Sequence, residues 1–166
     1  MISCYIGLGS NLNQPADQLR AACVRLQTIP KSDLVCTSSV YRTSPVGKLD
    51  QPDFLNAAVK LDTKLPVLSL LDTLQEIEKA QGRIRTERWG ARNIDIDILL
   101  FGDKTLSYPR LTIPHPRLHL RMFVLTPLAE ICGPSKRLPS VFLLKQVIEK
   151  CPSERVEKTN IRLLDN

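Results

Sequence analysis

A chain of 166 residues, 43% of them hydrophobic, holds enough apolar content for one core and hardly two, so a single domain spanning residues 1–166 is expected. The formal charge of +6 comes from scattered Lys and Arg rather than a basic block, and aromatics make up only 5%, which argues against a nucleic-acid module that stacks bases on a sheet. No apolar run reaches the roughly 20 residues of a membrane helix, no leader pattern opens the chain, and the five cysteines lack CxxC spacing, so a cytoplasmic protein with reduced thiols and no membrane partner is expected.

Ile2, Cys4, Ile6 and Leu8 alternate with Ser3, Tyr5 and Gly7, the period of two of a strand, and Gly9-Ser10-Asn11 ends it. Leu19, Ala22, Cys23 and Leu26 then recur at helical spacing behind Asn13 and Pro15. Leu34 to Arg42 and Phe54 to Leu61 are rich in β-branched and aromatic residues and predict two strands. The Pro/Gly/Asp-bearing stretch between them, Ser44 to Pro52, is a long loop of the kind that carries function. Val67, Leu70, Leu71, Leu74 and Ile77 mark a second helix running from Pro66 to Gly82. Ile94 to Phe101 is the next strand, turned by Gly102-Asp103 toward Lys104 to Ser107, and Leu118 to Leu125 and Val141 to Glu149 read as helices. This order predicts an α+β fold, a ferredoxin-like split βαβ sandwich with an antiparallel sheet and helices packed on its faces. From about Cys151 onward a polar C-terminal tail is expected, with no role assigned.

Chemistry concentrates between Arg83 and Asp97. On a strand, residues two apart share a face, so Asp95 and Asp97 project together while Ile94, Ile96 and Ile98 turn to the core. Paired carboxylates repel unless a cation lies between them, and hard oxygen ligands of this kind suit Mg, which completes its shell with water and substrate phosphates. Arg83, Arg85, Arg88 and Arg92 lie just upstream in a glycine-punctuated loop, where they can neutralise phosphoryl charge as a lid, and Trp89, the chain's one tryptophan, offers a flat surface for a ring. Gly-rich phosphate loops ending in Lys-Ser/Thr are absent, so the site is not Walker-type. Both histidines fall in a third cluster, where His115 sits between prolines near Arg110 and Arg121 and is placed to meet a phosphate, while His119 is read as structural. A metal-dependent phosphodiesterase or nucleotidyltransferase would use the same Asp pair, and the product of ATP turnover separates the alternatives.

The run Arg88-Trp-Gly-Ala-Arg92-Asn-Ile-Asp95-Ile-Asp97 resembles the signature of the hydroxymethyldihydropterin pyrophosphokinase family. The resemblance continues through Gly7-Leu-Gly-Ser-Asn11, Tyr41-Arg-Thr43-Ser-Pro45-Val-Gly47, Gln51-Pro-Asp-Phe54-Leu-Asn56, Glu78 with Gln81-Gly-Arg83, and Ile113-Pro-His115-Pro-Arg117, covering the chain to about Pro127. It implies transfer of pyrophosphate from Mg-ATP to the hydroxymethyl group of 6-hydroxymethyl-7,8-dihydropterin, releasing AMP, in folate biosynthesis. Carried over by position, it implies that Asp95 and Asp97 hold two Mg ions and act in catalysis with Arg83 and Arg92, which engage the transferring phosphates. ATP would meet Leu71, Gln75, Glu78, Arg85, Trp89, Arg92, Ile98, Arg110, Thr112, His115 and Arg121. The pterin would meet Thr43, Pro45, Val46, Gly47, Asn56, Trp89 and Asp95, its ring between Phe54 and Phe123. Ala91 stands where proline is usual, Asn93 where threonine is common and Leu120 where a polar residue is frequent. The expected partners are these small molecules and no nucleic acid, bound by a monomer or weak dimer.

Overall fold

The computed structural model describes residues 1–47, 49–82, 90–140 and 142–165. Strands β1 (Ile2–Ser10), β2 (Ser32–Thr37), β3 (Tyr41–Thr43), β4 (Phe54–Thr63), β5 (Asp95–Phe101) and β8 (Val156–Lys158) form one sheet in the order β5-β1-β4-β3-β8, with β2 also on β4. Every pairing in it is antiparallel. A separate hairpin joins β6 (Leu106–Tyr108) and β7 (Leu111–Ile113).

Alternation along β1 divides the interior. Cys4, Ile6 and Leu8 face helices α1 (Pro15–Leu26) and α2 (Val67–Ala80), where Leu19, Ala22, Leu70 and Leu74 complete one buried cluster. Tyr5 faces the other side, packing with Leu99, Leu100 and the residues Leu125, Leu128 and Leu144 of helices α3 (Met122–Cys132) and α4 (Leu144–Lys150). Ile6, Leu61, Leu70 and Leu74 are wholly buried, so cutting any of them to Ala would cost roughly 2–5 kcal/mol. The α+β sandwich with helices on both faces of an antiparallel sheet is therefore the observed fold. All five cysteines are free thiols, and burial pushes Cys23 up to about 12. Among the described residues no helix is long and apolar enough to cross a membrane.

Several elements differ from expectation. The strand expected over Leu34 to Arg42 is split into β2 and β3, because the three residues Ser38–Val40 lie opposite only Ala57 and Ala58 of β4. Ser38 fills the break, its backbone N–H donating to the Ala58 carbonyl and its hydroxyl accepting the Ala58 N–H. The helix expected over Leu118 to Leu125 is a short 3-10 turn, Leu118–Leu120, followed by α3, and the last helix begins at Leu144 rather than Val141. The segment after Cys151 is not a loose polar tail: β8 pairs with β3 and Leu163 is only 6% exposed in the main core. Its apolar residues are few, but β3 offers them an open edge whose backbone groups need partners.

Candidate active site

Register brings the acidic pair to a bare stretch of sheet. Asp95 lies opposite Gly9 and Asp97 opposite Gly7 on β1, and on the far side of β1 Gly9 lies opposite Asn56 of β4. With no side chain at Gly7 or Gly9 of the middle strand, a trough runs from the carboxylates to Asn56. A Cβ at Gly9 would lie 2.8 Å from Asn56 Oδ1, whereas one at Gly7 would meet the Leu99 side chain at 3.4 Å, an ordinary contact. Gly9 is thus required by a close approach, and Gly7 is not.

The pocket over this trough gathers Thr43, Val46, Phe54, Asn56, Arg92, Asp95, Asp97, Arg121 and Phe123, together with Gly7, Gly9, Ser44, Leu99 and Val124. Buried Asn56 donates from Nδ2 to Thr43 Oγ1 at 2.7 Å, which fixes its amide. Arg92 Nη1 donates to Asp95 Oδ2 at 2.9 Å, and its guanidinium lies 5.8 Å from the centre of the Phe54 ring. Arg121 lies 5.6 Å from the Phe123 ring centre. Burial lowers the Arg121 pKa, while Asp97 and Asp95 act to raise it. Each ring therefore carries a cation on one side of an acidic pair, an arrangement able to neutralise polyphosphate.

Two residues hold this geometry in place. Asn11 is only 2% exposed: its backbone N–H donates to the Arg92 carbonyl, its Oδ1 accepts the Arg92 N–H at 2.9 Å, and its Nδ2 donates to Gln51 Oε1 and the Pro52 carbonyl, both at 3.0 Å. It ties the arginine segment to the loop before Phe54. Sequence reading saw Asn11 as the end of a strand and as the last residue of the family-like run Gly7-Leu-Gly-Ser-Asn11, without giving it a role; an amide directly after paired glycines was the available signal. Glu78, 5% exposed on α2, accepts the Ile96 N–H at 2.8 Å. Among the described strands β5 pairs only with β1, so Glu78 satisfies its outer edge midway between Asp95 and Asp97.

The nucleotide residues expected from sequence spread over several elements. Arg110, in the β6–β7 turn, donates from Nη2 to Asp72 Oδ1 and to Gln75 Oε1 at 3.2 Å on α2, with Thr112 exposed beside it. Leu71 and Ile98 are buried on the α1–α2 face. His115 donates its backbone N–H to the Leu99 carbonyl and accepts the Arg117 N–H on Nδ1, and burial, reinforced by Arg121, lowers its pKa to about 4. It is therefore a neutral ring near pH 7, with Nε2–H left as a donor. Leu71, Gln75, Glu78, Ile98, Arg110, Thr112 and His115 do not line the pocket over the trough, and of the loop residues Val46 does while Pro45 and Gly47 flank it. Arg83, Arg85, Arg88 and Trp89 lie outside the described residues.

Among the described residues no group of three or more His, Cys, Asp or Glu could close around a metal ion. Two carboxylates on one strand face, with arginine already holding one of them, fit a divalent ion that takes its remaining ligands from water and phosphate, as Mg does.

Residues 5–133 match the pattern of the 7,8-dihydro-6-hydroxymethylpterin-pyrophosphokinase (HPPK) family. The chain is 45% identical over 160 residues to the 2-amino-4-hydroxy-6-hydroxymethyldihydropteridine pyrophosphokinase of Haemophilus influenzae, covering 96% of this chain and 99% of that one. It is 46% identical over 154 residues to the enzyme of that name from Pseudomonas aeruginosa, covering 93% and 94%. In fold it resembles the Plasmodium falciparum HPPK-DHPS crystallised with pteroate, with a TM-score of 0.71 at 17% identity over 90% of this chain. The chain spans only 42% of that larger protein.

Proposed function

The chain belongs to the 7,8-dihydro-6-hydroxymethylpterin-pyrophosphokinase family, and from that premise we propose how its residues divide the work. The protein is an ATP-dependent pyrophosphokinase that transfers a pyrophosphoryl group from ATP to hydroxymethyldihydropterin in folate biosynthesis. The observation that carries the residue assignment is the trough itself, with carboxylates at one end, a fixed amide at the other and the rings of Phe54 and Phe123 among its lining.

The pterin lies between Phe54 and Phe123 and reads its edge against Asn56 and Thr43, with Pro45, Val46 and Gly47 closing the pocket and Asp95 near its hydroxymethyl end; Trp89 is also assigned to its binding. A flat ring with a polar edge is selected by paired aromatic faces and an amide already locked by a neighbour. Asp95 and Asp97 hold two Mg ions, which when bound neutralise the phosphate oxygens. Arg92, Arg121 and Arg83 meet the transferring group. ATP extends past Ile98 toward Leu71, Gln75, Arg110, Thr112 and neutral His115, and Arg85 and Trp89 are assigned to its binding. The pterin hydroxymethyl oxygen bonds to the β-phosphorus and releases its proton to solvent as the bond from that phosphorus to the α-phosphate oxygen breaks, and AMP leaves. His115 does not line the trough, and both carboxylates would be engaged by metal when it is bound, so alignment and charge neutralisation carry most of the rate. The protein acts as a cytoplasmic monomer or weak dimer on small molecules and not on nucleic acid.

The test is product analysis. Incubation with Mg, ATP and hydroxymethyldihydropterin should yield AMP and pyrophosphorylated pterin in equal amounts. ADP with a monophosphorylated pterin, or pyrophosphate release, would overturn it.

A further inference from the structure

A second hollow lies beside the α3–α4 cluster, between the segment 114–120 on one side and the residues around Leu138 and Phe142 with α4 on the other. Its volume of about 480 Å³ falls within the roughly 300–1,000 Å³ of small-molecule sites. Leu118 and Leu138, each 4% exposed, are its most buried lining, and Val147 of α4 joins them. Leu120 and Phe142 also line it and stay 47% and 50% exposed, and large apolar side chains left open beside one cavity mark a binding surface. Backbone bonds fix both walls. The Leu118 and Leu120 N–H groups donate to the His115 and Arg117 carbonyls, both at 3.0 Å. Opposite them, the Leu138 N–H donates to the Phe142 carbonyl at 2.9 Å and the Leu144 N–H to the Lys136 carbonyl at 2.8 Å. The hollow is therefore built in advance, and filling it costs little ordering. Among the described residues that line it there is no Asp or Glu, and the one Lys or Arg is Lys150, whose ammonium lies 5.1 Å from the centre of the Phe142 ring.

We propose that this hollow is a second ligand site, for a flat aromatic molecule carrying one anionic group, its ring against Phe142 and Leu120 and its anion at Lys150. A neutral ring gains only burial there, whereas an anionic one also pairs with the ammonium, and no carboxylate in the lining repels it. Depth favours a small molecule over a second copy of the chain, because a ring can enter far enough to cover Leu118 and Leu138 and a flat protein face cannot. The site is separate from the proposed nucleotide surface, with which it shares only His115. Leu71 and Ile98 belong to the cluster under α1 and α2, Leu118, Leu138 and Val147 to that of α3 and α4.

The probe is anilinonaphthalene sulfonate, an aromatic anion whose fluorescence rises when it leaves water. It is titrated into the full chain already saturated with Mg, an unreactive ATP analogue and the pterin, so that the catalytic pocket is filled. One probe per chain should bind. Phe142→Ala and Lys150→Gln should each weaken it about fivefold or more, with turnover measured without probe staying within about twofold of the parent. Naphthoate should displace the probe at about a tenth of the concentration that neutral naphthalenemethanol requires. Lack of binding to the filled protein overturns the proposal, as does binding that either variant leaves unchanged or equal potency of the two competitors. A signal per chain that falls as protein concentration rises assigns the hollow to a second copy and overturns it as well. If Phe142→Ala fails to fold, Phe142→Leu, which keeps the bulk without the ring, decides by the same criterion.

Discussion

The proposed pterin pocket and the proposed nucleotide surface share Asp95 and Asp97 but are put together differently. The pocket is walled by strand residues and by the first turn of α3, with Asn56 locked to Thr43 and the floor set by glycines on β1. The nucleotide residues sit on α2, on the edge of β5 and on the small β6–β7 hairpin, joined largely by the exposed contacts of Arg110 with Asp72 and Gln75. A recessed pocket fixed by sheet register can recognise a rigid ring at little ordering cost, whereas a surface spread over separate elements takes its order from the polyphosphate that bridges them.

Removing the shared carboxylates should have the largest effect. Asp95→Ala and Asp97→Ala should each lower kcat/KM roughly a thousandfold in steady-state assays while thermal melting stays near that of the parent, because the task proposed for the pair is to hold metal and not to pack. Near-normal turnover in either would detach the metal from this strand. The two glycines sharpen the pocket side. Gly9→Ala, whose Cβ would lie 2.8 Å from Asn56 Oδ1, should weaken pterin binding about tenfold by calorimetry and spare the ATP analogue, while Gly7→Ala, facing only the yielding Leu99 side chain, should change little. Equal behaviour of the two would mean that the trough is not where the ring lies.

Glu78 sharpens the other side. Glu78→Leu removes the acceptor for the Ile96 N–H between the two aspartates and should weaken Mn binding several-fold, read by electron paramagnetic resonance with an unreactive ATP analogue, while Glu78→Gln keeps an acceptor and should bind nearly normally. If Gln is as damaging as Leu, the charge of Glu78 matters more than its hydrogen bond. The smallest effect is expected at His115. Its folded pKa of about 4 lies below the usual 6.5, so between these values the unfolded chain takes up a proton that the folded chain refuses. Its contribution is therefore full above 6.5 and is lost as pH falls toward 4, with a slope of about 1 kcal/mol per pH unit. Denaturant titrations of His115→Gln should show that slope flattened.

Much of this was legible in the residues alone. The period of two placed Asp95 and Asp97 on one face and Ile94, Ile96 and Ile98 in the core, and the apolar stripes of α1 and α2 were read at their observed positions, because each depends on neighbours a few residues away. Of the proposed binding residues, Arg92 was read from the arginine-rich loop itself, and Thr43, Val46, Phe54, Asn56, Arg121 and Phe123 were assigned through family resemblance; it is the fold that brings all seven to one pocket. What sequence could not supply was everything set by pairing across the sheet: that Gly9 faces both Asp95 and Asn56, that Asn11 joins the Arg92 backbone to Gln51 and Pro52, that Glu78 reaches the edge of β5, and that a polar ending becomes strand β8. Local periodicity follows from backbone geometry within one segment, whereas register between distant strands is chosen only when the whole core closes, by which side chains can be buried together.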